Sequence, residues 1–123
     1  MGNLNVKNSI AIGGLNFDPT KYKLLVEGTI GARKLKITQL SPWPDYVFQA
    51  DYPLPSLSYV ERFVRNNKRL PDIPSQEEIM TDGSDVGEMN RLLMLKVEEL
   101  TLYIIELNKK VEVLQALHQE RPR

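Results

Sequence analysis

From Asp85 onward, apolar residues recur at alternating steps of three and four. Leu93, Leu100, Leu107 and Leu114 occupy one heptad position (d), and Asn90, Val97, Ile104, Val111 and His118 another (a). This is a 3.5-residue seam held for about four heptads. Asp85-Val86-Gly87-Glu88 opens the segment with an N-cap carboxylate and a Glu three positions later, a helix-start signature. No Pro follows until Pro122, so the spacing predicts one helix of roughly 33 residues and about 50 Å. The upstream chain is too short to bury such a seam, and parallel association with copies of itself is expected to cover it. Val and Ile at a with Leu at d favour two strands in simple parallel coils. The flanking e and g positions, Met89, Met94, Lys96, Thr101, Tyr103, Asn108, Lys110, Gln115 and Leu117, are mostly neutral or apolar and tolerate a third. Leu92, Leu95, Leu102 and Ile105 lie outside the seam, and the segment between residues 43 and 80, folded back on the first half of the helix, is their expected cover.

That segment reads as a compact connector with two short helices. Pro55-Ser56 precedes the amphipathic spacing Leu57, Val60, Phe63 and Val64, and Pro71 is expected to stop the helix after Leu70. Ser75-Gln76-Glu77-Glu78 forms a capping box for a brief helix that Gly83 ends. Ahead of them, Trp43-Pro44-Asp45-Tyr46-Val47-Phe48 concentrates the aromatic residues. At the front, Leu4, Val6, Ile10 and Ile12 alternate with polar residues, as do Tyr22, Leu24 and Val26. Two half-buried strands are expected there, separated by a loop with Gly13, Gly14, Asp18 and Pro19. A third is expected over Ile30 to Ile37. Three short strands make no core alone, so pairing with neighbouring chains is expected here too.

Composition narrows the chemistry. The chain has 16 Lys+Arg against 16 Asp+Glu, without the basic surplus of a dedicated nucleic-acid or anionic-membrane binder. It has no Cys and a single His, His118, which removes disulfides, thiolate metal sites and most imidazole chemistry. No signal-peptide pattern and no apolar run of about 18 residues occurs, so membrane insertion is not expected.

Several separated blocks then resemble a known module. They are the Trp43 to Phe48 run, Asp51-Tyr52, Leu54-Pro55-Ser56-Leu57, Leu70-Pro71-Asp72-Ile73-Pro74-Ser75, Gly87-Glu88-Met89-Asn90 and Glu98-Glu99-Leu100-Thr101-Leu102-Tyr103-Ile104-Ile105-Glu106. Their order is similar to that of the C-terminal module of tail-fibre and surface fibre proteins of Bacteroidetes and their phages. The front, Ile10-Ala11-Ile12-Gly13, Pro19 and Lys23 to Ile30, resembles the repeat that precedes that module. The resemblance implies a homotrimeric, fibre-like structural protein of a virion, a phage-like particle or a cell surface, related in role to the intramolecular chaperones of phage tailspikes. Other fibre, tail or capsid proteins are the partners it implies. Beginning at Met1, the chain reads as a minimal fibre subunit or a piece of a longer one. Self-cleavage would need a Ser activated by a nearby Lys, but the Ser-Asp and Arg-Leu-Lys block of the self-cleaving chaperones is missing. Ser84-Asp85 instead leads into a helix cap.

The remaining candidates have plainer readings. Trp43, Tyr46 and Tyr52 are the candidate ligand contacts, able to stack on a sugar, although aromatics beside Pro more often pack. Asn90 at an a position more often sets register than holds an ion, and His118 sits at a charged, fraying end with Arg121 and Arg123. Arg62, Arg65, Lys68 and Arg69 form a basic helix face balanced by acids elsewhere. Asp82-Gly83-Ser84-Asp85 lacks the alternating ligands of a calcium loop. The expected fold class is α+β and elongated: short intertwined N-terminal β-strands, a small helical connector, and a long C-terminal parallel coiled-coil helix in a homotrimer. Residues 1–40 form the β-rich fibre repeat, 41–84 the connector and 85–120 the trimerisation helix. The expected trimer interface is Asn90, Leu93, Val97, Leu100, Ile104, Leu107, Val111 and Leu114. The expected function is a non-enzymatic fibre module without cofactor, catalytic residue or metal, on a virion or outside the cell. The alternative is an adhesin that binds a host surface glycan or receptor through the Trp43 to Tyr52 aromatics.

Overall fold

The computed structural model of the protein describes residues 2–14, 18–38 and 41–120. The expected segment boundary at Leu40 and the residues Arg121, Pro122 and Arg123 lie outside the described residues. The chain divides into two compact units, Met1–Lys36 and Ile37–Arg123.

In the first unit two strands form, β1 (Ile10–Ile12) and β2 (Leu24–Val26), paired in parallel with Ile10 opposite Leu24 and Ile12 opposite Val26. Their ladder is extended by the Ile10 amide donating to the Lys23 carbonyl at 2.8 Å and the Glu27 amide to the Ile12 carbonyl at 2.9 Å. Gly13 leaves β1 at φ 78°, a left-handed conformation that a side chain resists. The chain then turns at Asp18, whose carboxylate accepts from the Thr20 amide at 2.9 Å and from its hydroxyl at 2.5 Å. Those bonds hold the Asp18 carboxyl below the usual range. The strands are shorter than the alternation predicts. Leu4 and Val6 are exposed in irregular chain, and Ile30 to Ile37 forms no strand, with Ile30 and Leu35 largely in solvent. Alternation selects a face, but a strand also needs a partner for its amides and carbonyls, and among the described residues only one pair is present.

The second unit contains a 3-10 helix (Pro44–Phe48) and three α-helices: α1 (Leu57–Asn67), α2 (Gln76–Asp82) and α3 (Val86–Gln119). Each α-helix starts at the residue its sequence signals. Ser56 accepts from the Tyr59 amide at 3.1 Å, Ser75 from the Glu78 amide at 3.2 Å, and Asp85 from the Glu88 amide at 3.0 Å. These caps satisfy otherwise unpartnered first-turn donors. The end of α1 falls at Asn67, ahead of the expected Leu70. Lys68 turns left-handed at φ 58° and donates its amide to the Val64 carbonyl, closing the helix before Pro71 can.

The small core forms where the 3-10 helix lies on α3. Val47, 1 % exposed, packs with buried Leu92 and Leu95 and with partly buried Tyr52, Ile73 and Leu102. Pro44, at the start of the 3-10 helix, is buried as well. Three of the four α3 residues expected to need an intrachain cover are thus covered, while Ile105 stays 46 % exposed. Truncating the side chain at the centre of this contact, Val47→Ala, is expected to lower unfolding stability by about 1–3 kcal/mol. Urea denaturation followed by circular dichroism measures this, and an unchanged midpoint would show that Val47 does not anchor the contact.

Candidate self-association interface

The heptad positions of α3 separate into two faces. Leu92, Leu95, Glu98, Glu99 and Leu102 lie at b, c and f, on the back of the helix, and there the connector packs. The a and d positions all face outward. Leu93, Val97, Leu100, Ile104, Leu107, Val111 and Leu114 keep 49–64 % of their surface exposed, and Asn90 is exposed with them. From Ile104 to Glu120 every residue is exposed, so the second half of α3 has no intrachain cover. Helical stability in proteins comes chiefly from packing an apolar face, and along this half the a and d stripe is the apolar face left without intrachain contacts.

Polar groups secure the covered face. The Tyr103 hydroxyl donates to the Pro55 carbonyl and the Tyr52 hydroxyl to Glu99 Oε1 at 3.0 Å. Lys96 Nζ lies 3.2 Å from Asp72 Oδ2 and 3.5 Å from Glu99 Oε1, so buried Glu99 is met by both a phenol and an ammonium. Burial and the neighbouring Glu99 charge push the Tyr52 phenol far above its ordinary range. Lys96 and Tyr103, expected to widen the self-association face from their g positions, are engaged within the chain instead. Asp72 takes φ 68°, a left-handed position that Asp tolerates better than most residues. None of Tyr52, Asp72 or Glu99 was singled out by periodicity as part of a network. The available signal is Glu99 on the face of Leu92 and Leu95, seven residues after the one and four after the other.

The aromatic candidates divide. Tyr52 belongs to the core, with its ring 5.9 Å from that of Tyr46. Trp43 and Tyr46 remain 45 % and 40 % exposed. Of the basic face, Arg65 pairs with Glu61 at 2.6 Å, while Arg69 stacks on Phe63 and donates to the Ile73 carbonyl at 3.0 Å. Asp85 is engaged as a helix cap. Among the described residues no cluster of three or more His, Cys, Asp or Glu could hold a metal ion, and no helix is long and apolar enough to cross a membrane. Searches against family models, curated proteins and solved structures return no match to this chain.

One buried group is poorly matched. Glu98 is 8 % exposed and its Oε2 has no hydrogen-bond partner. Burial, with the Asp45 charge adding, raises its carboxyl above the usual range. A raised carboxyl in the fold binds its proton more tightly than in the unfolded chain. Its stabilising contribution is therefore complete below the ordinary Glu value of about 4.3 and is lost as pH rises through the raised one. Glu98→Gln removes the buried charge and is expected to stabilise the protein at pH 7 by roughly 1 kcal/mol. The advantage should close as pH falls below about 4. Thermal melts of both proteins from pH 3 to 8 check this, and a gap independent of pH would contradict it.

Proposed function

We propose that the protein is a non-enzymatic fibre module that trimerises through the a and d seam of α3. The supporting observation is the division of that helix: the connector occupies its back, and the heptad seam runs uncovered to the helix end. A stripe repeating every 3.5 residues is self-complementary when copies run parallel, and closed symmetry gives each copy the same cover. The e positions Met94, Thr101, Asn108 and Gln115 carry no charge, which suits three helices better than a dimer framed by charged flanks. Zero formal charge leaves coaxial copies without strong mutual repulsion.

In this role the first unit supplies the fibre end. Its exposed Leu4, Ile30 and Leu35 and its two open strand edges are covered when three such units intertwine. The blocks resembling Bacteroidetes and phage tail-fibre modules support a place on a virion, a phage-like particle or a cell surface, with other fibre, tail or capsid proteins as neighbours. Mechanistically, three coaxial chains hold three copies of whatever the fibre carries and convert weak contacts into avidity.

Light scattering at several concentrations is expected to give a three-chain mass, and a stable two-chain mass would overturn the trimer. Leu100→Asp combined with Leu107→Asp should dissociate it and reduce helix content, because the uncovered half of α3 then has nothing to pack on. A second reading, glycan adhesion, draws on exposed Trp43 and Tyr46. It requires array binding that Trp43→Ala abolishes while the trimer persists, whereas the fibre-module function predicts no glycan signal from either protein.

A further inference from the structure

Helix α1 has an apolar stripe that its own chain leaves half covered. None of its residues is buried, and Leu57 and Val64 are 47 % and 37 % exposed. No Cα of α1 lies within 8 Å of a Cα of α3. Between them is a cavity of about 100 Å³ walled by Val60, Leu70 and Pro71 on one side and by Leu100 and Tyr103 on the other. Lys96 and Glu99, also on its wall, are paired with each other, so the lining presents apolar surface without a free charge. On its open side the apolar lining lacks protein partners and forfeits their dispersion contacts.

The place of this cavity on the heptad wheel relates it to the seam. Lys96 and Tyr103 are g residues, Glu99 is c, and Leu100 is d, so the cavity opens on the g edge and runs directly into the seam through Leu100. In a parallel coiled coil the g edge of one helix faces the e edge of the next. At this height the e edge carries Met94 and Thr101, with Ile105 just beyond at b, and all three are exposed in their own chain. Ile105 is the one apolar residue outside the seam that was expected to be covered by the connector and is not. We propose that α1 of each chain clasps the neighbouring copy's α3 along this edge, Thr101 closing the cavity beneath Val60 and the flanking Met94 and Ile105 packing on the rest of the α1 stripe. The site is incomplete in one chain, and three copies complete it three times by the same rotation. The clasp rests on the proposed trimer and adds to it a second contact, which orients α1 and fixes the order of chains around the axis.

Because the chain has no cysteine, Val60→Cys with Thr101→Cys introduces its only thiols. Within one chain α1 and α3 are farther apart than the roughly 7 Å Cα separation a disulfide can span, so any bond formed is between chains. Mild oxidation of the double variant is expected to yield covalent trimers on a non-reducing gel that revert with dithiothreitol, while either single variant yields none. Val60→Cys with Ile105→Cys provides a second pair for the same edge, and cross-linking by either pair supports the clasp. Single-chain bands from both pairs in a protein that scatters as a trimer would overturn the clasp and leave the seam standing. A monomeric mass from the unmodified protein would overturn both.

Discussion

Val47 packed with Leu92 and Leu95 is the centre of the second unit's core. A single helix of 34 residues cannot be stabilised by propensity alone, because helical stability in proteins comes chiefly from packing an apolar face. Here the chain covers the b, c and f side of the first half with a one-turn 3-10 helix and the loops around it. That choice of side has a further effect. Placing the connector on the back of α3 leaves the a and d stripe exposed, so intrachain packing and the proposed trimer do not compete for the same residues.

The polar groups reinforce that division. Tyr103 holds Pro55, Tyr52 holds Glu99, and Lys96 joins Asp72 to Glu99. Each links the connector to the g or c side of α3, and the two g residues, Lys96 and Tyr103, are engaged within the chain. Glu99 is well matched in this arrangement, whereas Glu98, one residue away, keeps an unpaired oxygen near Asp45. The difference follows from which neighbour each meets: an ammonium and a phenol in one case, another carboxylate in the other.

Legibility in the sequence follows the range of the interaction. The helix starts at Ser56, Ser75 and Asp85 were readable because a cap and the amides it satisfies lie within three residues of each other. Leu92, Leu95 and Leu102 were readable as a second apolar face because helical geometry places them together wherever the helix sits. The strands were less so: Leu4, Val6 and the stretch from Ile30 to Ile37 have the alternation, but alternation does not provide a hydrogen-bonding partner. The end of α1 was misplaced because Pro71 is a visible stop, whereas the left-handed turn at Lys68 has no Gly or Asn to mark it. Among the candidate ligand aromatics, the sequence grouped Trp43, Tyr46 and Tyr52 by proximity, and only packing separated the partly buried Tyr52 from the other two.

By itself the sequence determined the extent of α3, its heptad seam and the need for a separate cover on its back, because all three are set by periodicity and local capping. The tertiary structure decided which residues supply that cover, how Glu99 is paired, that Ile105 and Met94 stay exposed, and that α1 stands off α3 across a cavity. Those outcomes depend on contacts such as Tyr52 with Glu99 and Tyr103 with Pro55, between residues nearly fifty positions apart. No local pattern encodes them, since each needs the connector to fold back before the partners can meet.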